Sequence, residues 1–187
     1  MGEFSMKVGI AGCGGIGSNV AYHLIRSGIV EFKFGDFDIV ESSNLNRQFF
    51  FHSQIGKTKA LCLKENLLQI NPKAIIEAEV IHFEKENIQN FFYDCDIIIE
   101  AFDKKECKTM LLEEISTTGK PIIAASGIAD YDIENLQIKK LSSNLYVVGD
   151  FMKGIENYPT YSHKVNMVAA MMAKVVLELG GYFEKKN

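Results

Sequence analysis

The chain has 187 residues, 47% of them hydrophobic and 24% charged, with a net charge of −4. This length suits one domain that buries roughly 70% of its unfolded surface, and the acidic balance argues against a nucleic-acid partner. Four scattered cysteines without a Cys-x-x-Cys pair, and apolar runs far short of about 18 residues, exclude a zinc knuckle, a disulfide framework and a membrane helix, leaving a reducing cytoplasm as the expected setting.

Met1 to Ser5 lack a secretory apolar core, and Met6 reads as a natural start. Residues 1–6 are therefore set aside as an expression scar or disordered start, and 7–187 are taken as one domain. Lys7 to Ala11 is a short apolar run leading into Gly12-Cys13-Gly14-Gly15-Ile16-Gly17. An amphipathic stretch from Ser18 to Arg26 follows, stopped by Gly28, and then a second strand, Glu31 to Gly35, ending on Asp36. This order predicts a parallel βαβ unit. Ser42 to Ser53 has no clean period and reads as an ordered loop; Gly56 to Ile70 has helical spacing and stops at Asn71-Pro72.

Ala74 to Val80 is the next expected strand and Glu86 to Phe92 a short helix. Asp96 to Ala101 is the most apolar strand, which suits the centre of a parallel sheet. A helix from Lys105 to Thr117 leads through Gly119 and Pro121 to a strand at Ile122 to Ser126. Asn135 to Leu141 and Leu145 to Gly149 read as an antiparallel pair turning at Ser142-Ser143-Asn144. Phe151 to Tyr161 is an irregular connector, and Lys164 to Leu179 a final apolar helix. The fold class is α/β, Rossmann-like and doubly wound, with a mainly parallel sheet and an antiparallel C-terminal extension.

The candidate chemistry follows the same order. Gly12, Gly14, Gly15 and Gly17, between a strand and a helix, suit a tight turn that brings backbone N–H groups to an anion; a turn of purely steric origin is the alternative. Asp36 lies about 20 residues further on, where a carboxylate binds ribose hydroxyls, or it is a plain strand-end residue. Asp38 reads as a turn former, and Cys13 as a small filler. Arg26 and Arg47 are the only arginines, so the placing of Arg47 with Asn44 and Gln48 in one loop stands out. With Lys59 a turn into the next helix, it offers one forked and one point-like cation for a triphosphate; surface ion pairing is the alternative for each. Asp103, just past the apolar strand, would hold Mg²⁺ between phosphates or cap the Lys105 helix.

The motifs Gly12-x-Gly14-Gly15-Ile16-Gly17, Asp36-x-Asp38-x-Val40, Ser43-Asn44-Leu45-x-Arg47-Gln48, Gly56-x-x-Lys59 and Asp103 together resemble the adenylation domain of the ThiF/MoeB/HesA and ubiquitin-activating enzymes. Without zinc-binding cysteines, the chain is most similar to short ThiF-like proteins of thiamine biosynthesis. The resemblance implies ATP-dependent adenylation of the C-terminal Gly-Gly carboxylate of a ubiquitin-like sulfur carrier, usually by a homodimer. It implies that Asp36 binds ribose, that Asn44, Arg47, Gln48 and Lys59 handle phosphates, and that Asp103 holds Mg²⁺. It also implies that Asp130 to Thr160 cradles the carrier's tail. Two features depart from the pattern. No arginine precedes Arg26 to serve a neighbouring protomer, and no cysteine follows Cys107 for a covalent step; Cys107 itself reads as core. An NAD(P)-dependent oxidoreductase and a non-catalytic nucleotide- or partner-binding member of the same fold are the rival readings.

Overall fold

The computed structural model describes residues 6–182, so Met1–Ser5 of the expected scar lie outside it. Met6 does not share that assignment: it is buried and belongs to the main apolar core.

Strand β1 (Lys7–Ala11) enters helix α1 (Gly15–Arg26), and β2 (Glu31–Gly35) returns parallel to β1. Helix α2 (Lys59–Ile70) leads to β3 (Ile75–Glu79), and α3 (Lys85–Phe91) to β4 (Ile97–Glu100). Helix α4 (Lys105–Ser116) precedes β5 (Ile122–Ala125); β6 (Gln137–Lys140) and β7 (Leu145–Gly149) form a hairpin, and α5 (Ser162–Leu179) closes the described chain. The sheet order is β3-β2-β1-β4-β5-β7-β6, which puts the all-buried β4 at the centre, as its uninterrupted isoleucines predict. Within the C-terminal hairpin only β6 runs antiparallel; β7 continues the parallel sheet beside β5.

Side chains alternate across this sheet with the period of two that strands impose. Val8, Ile10, Ile97 and Ile99 join the core under α1, α2 and α5, whereas Ile98 joins Phe83, Phe91, Phe92 and Leu111 in the core under α3 and α4. Helices therefore cover both faces. Gly9 belongs to the second face because a Cβ there would press into Phe92 and Ile98.

Helix starts deviate most from expectation. Helix α1 begins at Gly15, three residues before the expected Ser18, because the glycines are themselves helical. Helix α2 begins at Lys59: Gly56 has φ +85° and Thr58 is extended, so the first three residues of the expected helix form its approach. The Ser42 to Ser53 loop holds two short 3₁₀ turns, Ser42–Asn44 and His52–Gln54. Among the described residues, no helix is long and apolar enough to cross a membrane.

Candidate nucleotide and acceptor site

Parallel strands in an open sheet collect their loops at one edge, and ligands enter where the strand order reverses. Here the reversal lies between β1 and β4, and a cavity of about 790 Å³ opens there. Gly12, Gly14 and Gly15 form one wall. Gly12 takes φ +95° while its N–H donates to the Gly35 carbonyl at 3.0 Å, and a Cβ on it would crowd the Ala101 carbonyl. Gly17 lies behind the wall. Its missing Cβ lets α1 sit against the Gly12 carbonyl, well inside the 3.0 Å that any side chain would need.

Asp36 directly follows β2, is 8% exposed, and lines the cavity. Its carboxylate accepts the Cys13 N–H at 2.6 Å and the Asp38 N–H at 2.7 Å, coupling the glycine turn to the end of the second strand. Burial pushes its carboxyl above the usual aspartate range, outweighing those two donors and the nearby Lys59.

Arg47, Gln48 and Lys59 line the same cavity. The Arg47 stem lies within 4.0 Å of where a Gly15 Cβ would sit, while its Nη1 donates to the Ser43 carbonyl at 3.0 Å and to Asn46 Oδ1 at 2.8 Å. Gln48 carries a buried Oε1 without a hydrogen-bond partner among the described residues, an orphan acceptor that a ligand donor could satisfy. Lys59 is 7% exposed and its ammonium meets Asp38 at 2.8 Å. Asp38, read from sequence as a turn former, is thus the counter-ion that makes this buried lysine tolerable.

Asn44 does not line the cavity. Its Oδ1 accepts the Glu41 N–H at 2.9 Å and its carbonyl accepts the N–H groups of Arg47 and Gln48, so it shapes the loop that presents them. Asp103 is exposed on the cavity rim. The capping alternative for it is not seen: Lys104 holds the N-cap position of α4, without a side-chain capping bond. No cluster of three metal-ligating side chains occurs among the described residues; Asp36, Asp38 and Glu156 line the cavity together with Asp103. Cys107, expected in the core, is instead half-buried on the cavity wall.

Several supports escaped the sequence reading. Ser18 Oγ donates to the Gly14 carbonyl at 2.6 Å and accepts the Phe49 N–H at 3.1 Å. Asn19 Nδ2 donates to the carbonyls of both Gly15 and Arg47, tying the glycine turn to the arginine loop. Glu100, 1% exposed at the end of β4, is paired with Lys108 at 2.9 Å, and Lys108 lines the cavity. The available signal was polar residues inside otherwise apolar elements: Ser18 and Asn19 among the buried residues of α1, and Glu100 closing a strand of isoleucines. Beyond β4, Gly127, Ile128 and the connector from Phe151 to Thr160 form the opposite wall, with an isolated bridge pairing Asp130 and Thr160.

Comparison with known proteins gives a consistent set of relatives. The ThiF family matches residues 4–159. The chain is 32% identical over 123 residues to the adenylyltransferase and sulfurtransferase uba4 of Emericella nidulans, covering 65% of this chain and 26% of that protein. It is 33% identical over 138 residues to a tRNA threonylcarbamoyladenosine dehydratase of Bacillus subtilis, covering 72% and 54%. The chain thus spans from about a quarter to about half the length of these two relatives. Its fold matches the E. coli tRNA N6-threonylcarbamoyladenosine dehydratase in complex with AMP at a TM-score of 0.87 and 18% identity, over 96% of this chain and 87% of that one. It also matches E. coli MccB with AMPCPP and MccA at 0.72 and 25%, over 97% and 57%.

Proposed function

The chain belongs to the ThiF family, and on that footing we propose that it transfers AMP from ATP to the C-terminal carboxylate of a ubiquitin-like sulfur-carrier protein ending in Gly-Gly, releasing pyrophosphate. One observation carries the reading: Arg47, Gln48, Lys59 and Asp103 line the cavity that the glycine turn and Asp36 also line. A nicotinamide enzyme would use the glycine turn and Asp36 but give these four nothing to do.

The chemistry suits such a wall. A C-terminal carboxylate, with a reference pKa of about 3.3–3.7, is already ionised at neutral pH and needs no general base. Its oxygen attacks the α-phosphorus, the bond to the bridging oxygen breaks, and pyrophosphate leaves with the electron pair. The obstacle is repulsion between anions and the charge gathering on the leaving group. Arg47, with a rigid fork of donors, and Lys59, a compact charge held by Asp38, offset both without moving protons. The glycine turn offers backbone donors, and Asp36 an acceptor for ribose. Asp103 would hold Mg²⁺, which neutralises phosphate charge when bound. Asn44 acts through the loop it shapes. The Asp130 to Thr160 segment would receive the carrier's tail, and we place the protein in thiamine-pathway sulfur transfer in the cytoplasm, acting as a homodimer. An acceptor of the kind named for the Bacillus relative is the second reading, favoured by its 33% identity over 72% of this chain; the net charge of −4 weighs against a tRNA partner.

The test is ATP–pyrophosphate exchange by the full chain with a carrier protein ending in Gly-Gly, followed by a mass search for its AMP adduct. Carrier-dependent exchange is the expected result. ATP binding without exchange would favour the non-catalytic reading, and tight NAD binding without ATP affinity would sink the proposal.

Asp36 adds a pH signature. If its carboxylate holds ribose, protonation weakens binding, and because its carboxyl is raised by burial, the midpoint of the affinity loss should lie above the ordinary aspartate pKa of about 3.9. Adenosine is the suitable probe, since it carries no phosphate to titrate. Calorimetry across acidic pH should place the loss above that value; a loss only below it would remove Asp36 from the ribose site.

A further inference from the structure

The final helix contributes something that the adenylation reading leaves unused. Lys164, in the first turn of α5, is fully buried, an unusual place for a lysine. Its ammonium donates to Asp150 Oδ2 at 2.6 Å and to the Ala129 carbonyl at 2.6 Å. These partners lie on two different segments, one following β5 and one following β7. Asp150, 5% exposed, uses its other oxygen to accept the N–H groups of Met152 at 2.8 Å and Lys153 at 2.9 Å. Burial alone would raise its carboxyl, but Lys164 and those donors outweigh burial and hold it below the usual range.

The segments so joined are conformationally demanding. Phe151 takes φ +64° and Asp130 φ +71°, and a Cβ on Gly127 would run into the Asp150 carboxylate. Backbone bonds stitch the two together, with Ala129 N–H donating to Lys153 O at 3.1 Å and Asp130 N–H to Pro159 O at 2.8 Å. Neighbouring residues of α5 reach out as well: His163 Nε2 lies 2.7 Å from the Tyr131 carbonyl, and Val165 packs where a Gly15 side chain would be.

Position in the sheet separates this assembly from the nucleotide end. Asp36 follows β2 and the glycine turn follows β1, whereas Lys164 holds segments beyond β5 and β7. At about 4.8 Å per strand, β2 and β7 are roughly 19 Å apart. We propose that Lys164 and Asp150 are positioning residues for the acceptor half of the cavity: they fix the 126–130 and 150–160 segments to each other and to α5, and so set affinity for the carboxylate-bearing tail without setting affinity for ATP. This rests on the adenylation reading.

The experiment compares the full wild-type chain with K164M and with the double variant D150N/K164M, which removes both charges together and guards against misfolding from an unpaired buried carboxylate. A synthetic heptapeptide ending in Gly-Gly serves as acceptor in ATP–pyrophosphate exchange, ATP affinity is measured by calorimetry, and amide exchange is followed by mass spectrometry. The expected result for the double variant is a peptide KM raised about tenfold or more at nearly constant kcat, the pattern of lost binding rather than lost chemistry. ATP affinity should stay within about twofold, with faster amide exchange confined to 126–130 and 150–160. An unchanged peptide KM, or an ATP affinity that falls in step with it, would overturn the proposal while leaving adenylation standing. A wild-type chain that binds ATP but supports exchange with neither the peptide nor a carrier protein ending in Gly-Gly would instead remove the adenylation reading, and this role with it.

Discussion

Arg47→Ala is expected to slow carrier-dependent ATP–pyrophosphate exchange by about 10²–10³, the usual effect of removing one preorganised donor from a developing negative charge. Stability should barely move. The guanidinium is half-buried, and its hydrogen bonds to Ser43 and Asn46 stay within its own loop. A loss of up to about 1 kcal/mol corresponds to only about 2–4 °C in a chain of this size. Arg26→Ala is the natural control, since the other arginine lies exposed over the Tyr22 ring at 4.7 Å and has no part in the proposed chemistry. The rate of that variant should stay near wild type. Near-normal exchange by Arg47→Ala would show that leaving-group charge is handled elsewhere and would undo the assignment of this loop.

Gly17→Ala is expected to destabilise the fold by about 3 kcal/mol or more and to abolish measurable ATP binding. Helix propensity alone predicts the opposite sign, because alanine in a helix interior gains about 1 kcal/mol over glycine. The deciding fact is what the new Cβ would meet: the backbone carbonyl of Gly12 in forbidden contact and Ile10 Cγ2 at 3.1 Å. Neither is a flexible side-chain end, so either α1 shifts off the sheet or the glycine turn deforms, with an overpacking cost at or beyond the common 1–3 kcal/mol range. Urea denaturation and ATP calorimetry read the two consequences separately. Gly15→Ala is the milder comparison, since its Cβ would press only mildly on Val165 Cγ1, at 3.2 Å, and touch the Arg47 stem at ordinary contact distances of 3.8 and 4.0 Å. A Gly17→Ala protein of normal stability that still binds ATP would mean the helix can slide away from the turn at little cost.

Arg47 and Gly17 both stand out in the amino-acid sequence, yet for different reasons: one by its rarity in the chain, the other by its spacing from Gly12 and Gly14. The strands around β1 and β4 and the stops at Gly28 and Asn71-Pro72 are written in local chemistry: runs of apolar residues, and residues whose backbone cannot continue a helix. The glycine spacing belongs to the same kind of signal. The 3₁₀ turns flanking Arg47 were not readable, because they are set by side chains that fold back on their own loop. Asn44 accepts from Glu41, and Gln54 accepts from Phe51 while donating to Asn66 on α2. A helix propensity scale carries no information about such bonds.

Asp38 and Cys107 show the same limit at the site itself. Asp38 reads as a turn residue until Lys59 is brought to it across 21 positions, and Cys107 reads as core until α4 is seen to turn it toward the cavity. Lys108 and Lys164 look like ordinary surface charges in an isolated helix; Asp150, delivered by another element, makes the burial of Lys164 tolerable, and half-buried Lys108 does the same for the buried Glu100. By itself, then, the sequence determined the order of strands and helices, the glycine turn and the identity of the charged residues near it, since each depends on neighbours in the chain. Tertiary structure alone decided which charges are paired, which polar groups are buried and which walls meet, because hydrogen bonds and ion pairs of this kind join residues that only the folded sheet brings within about 3 Å.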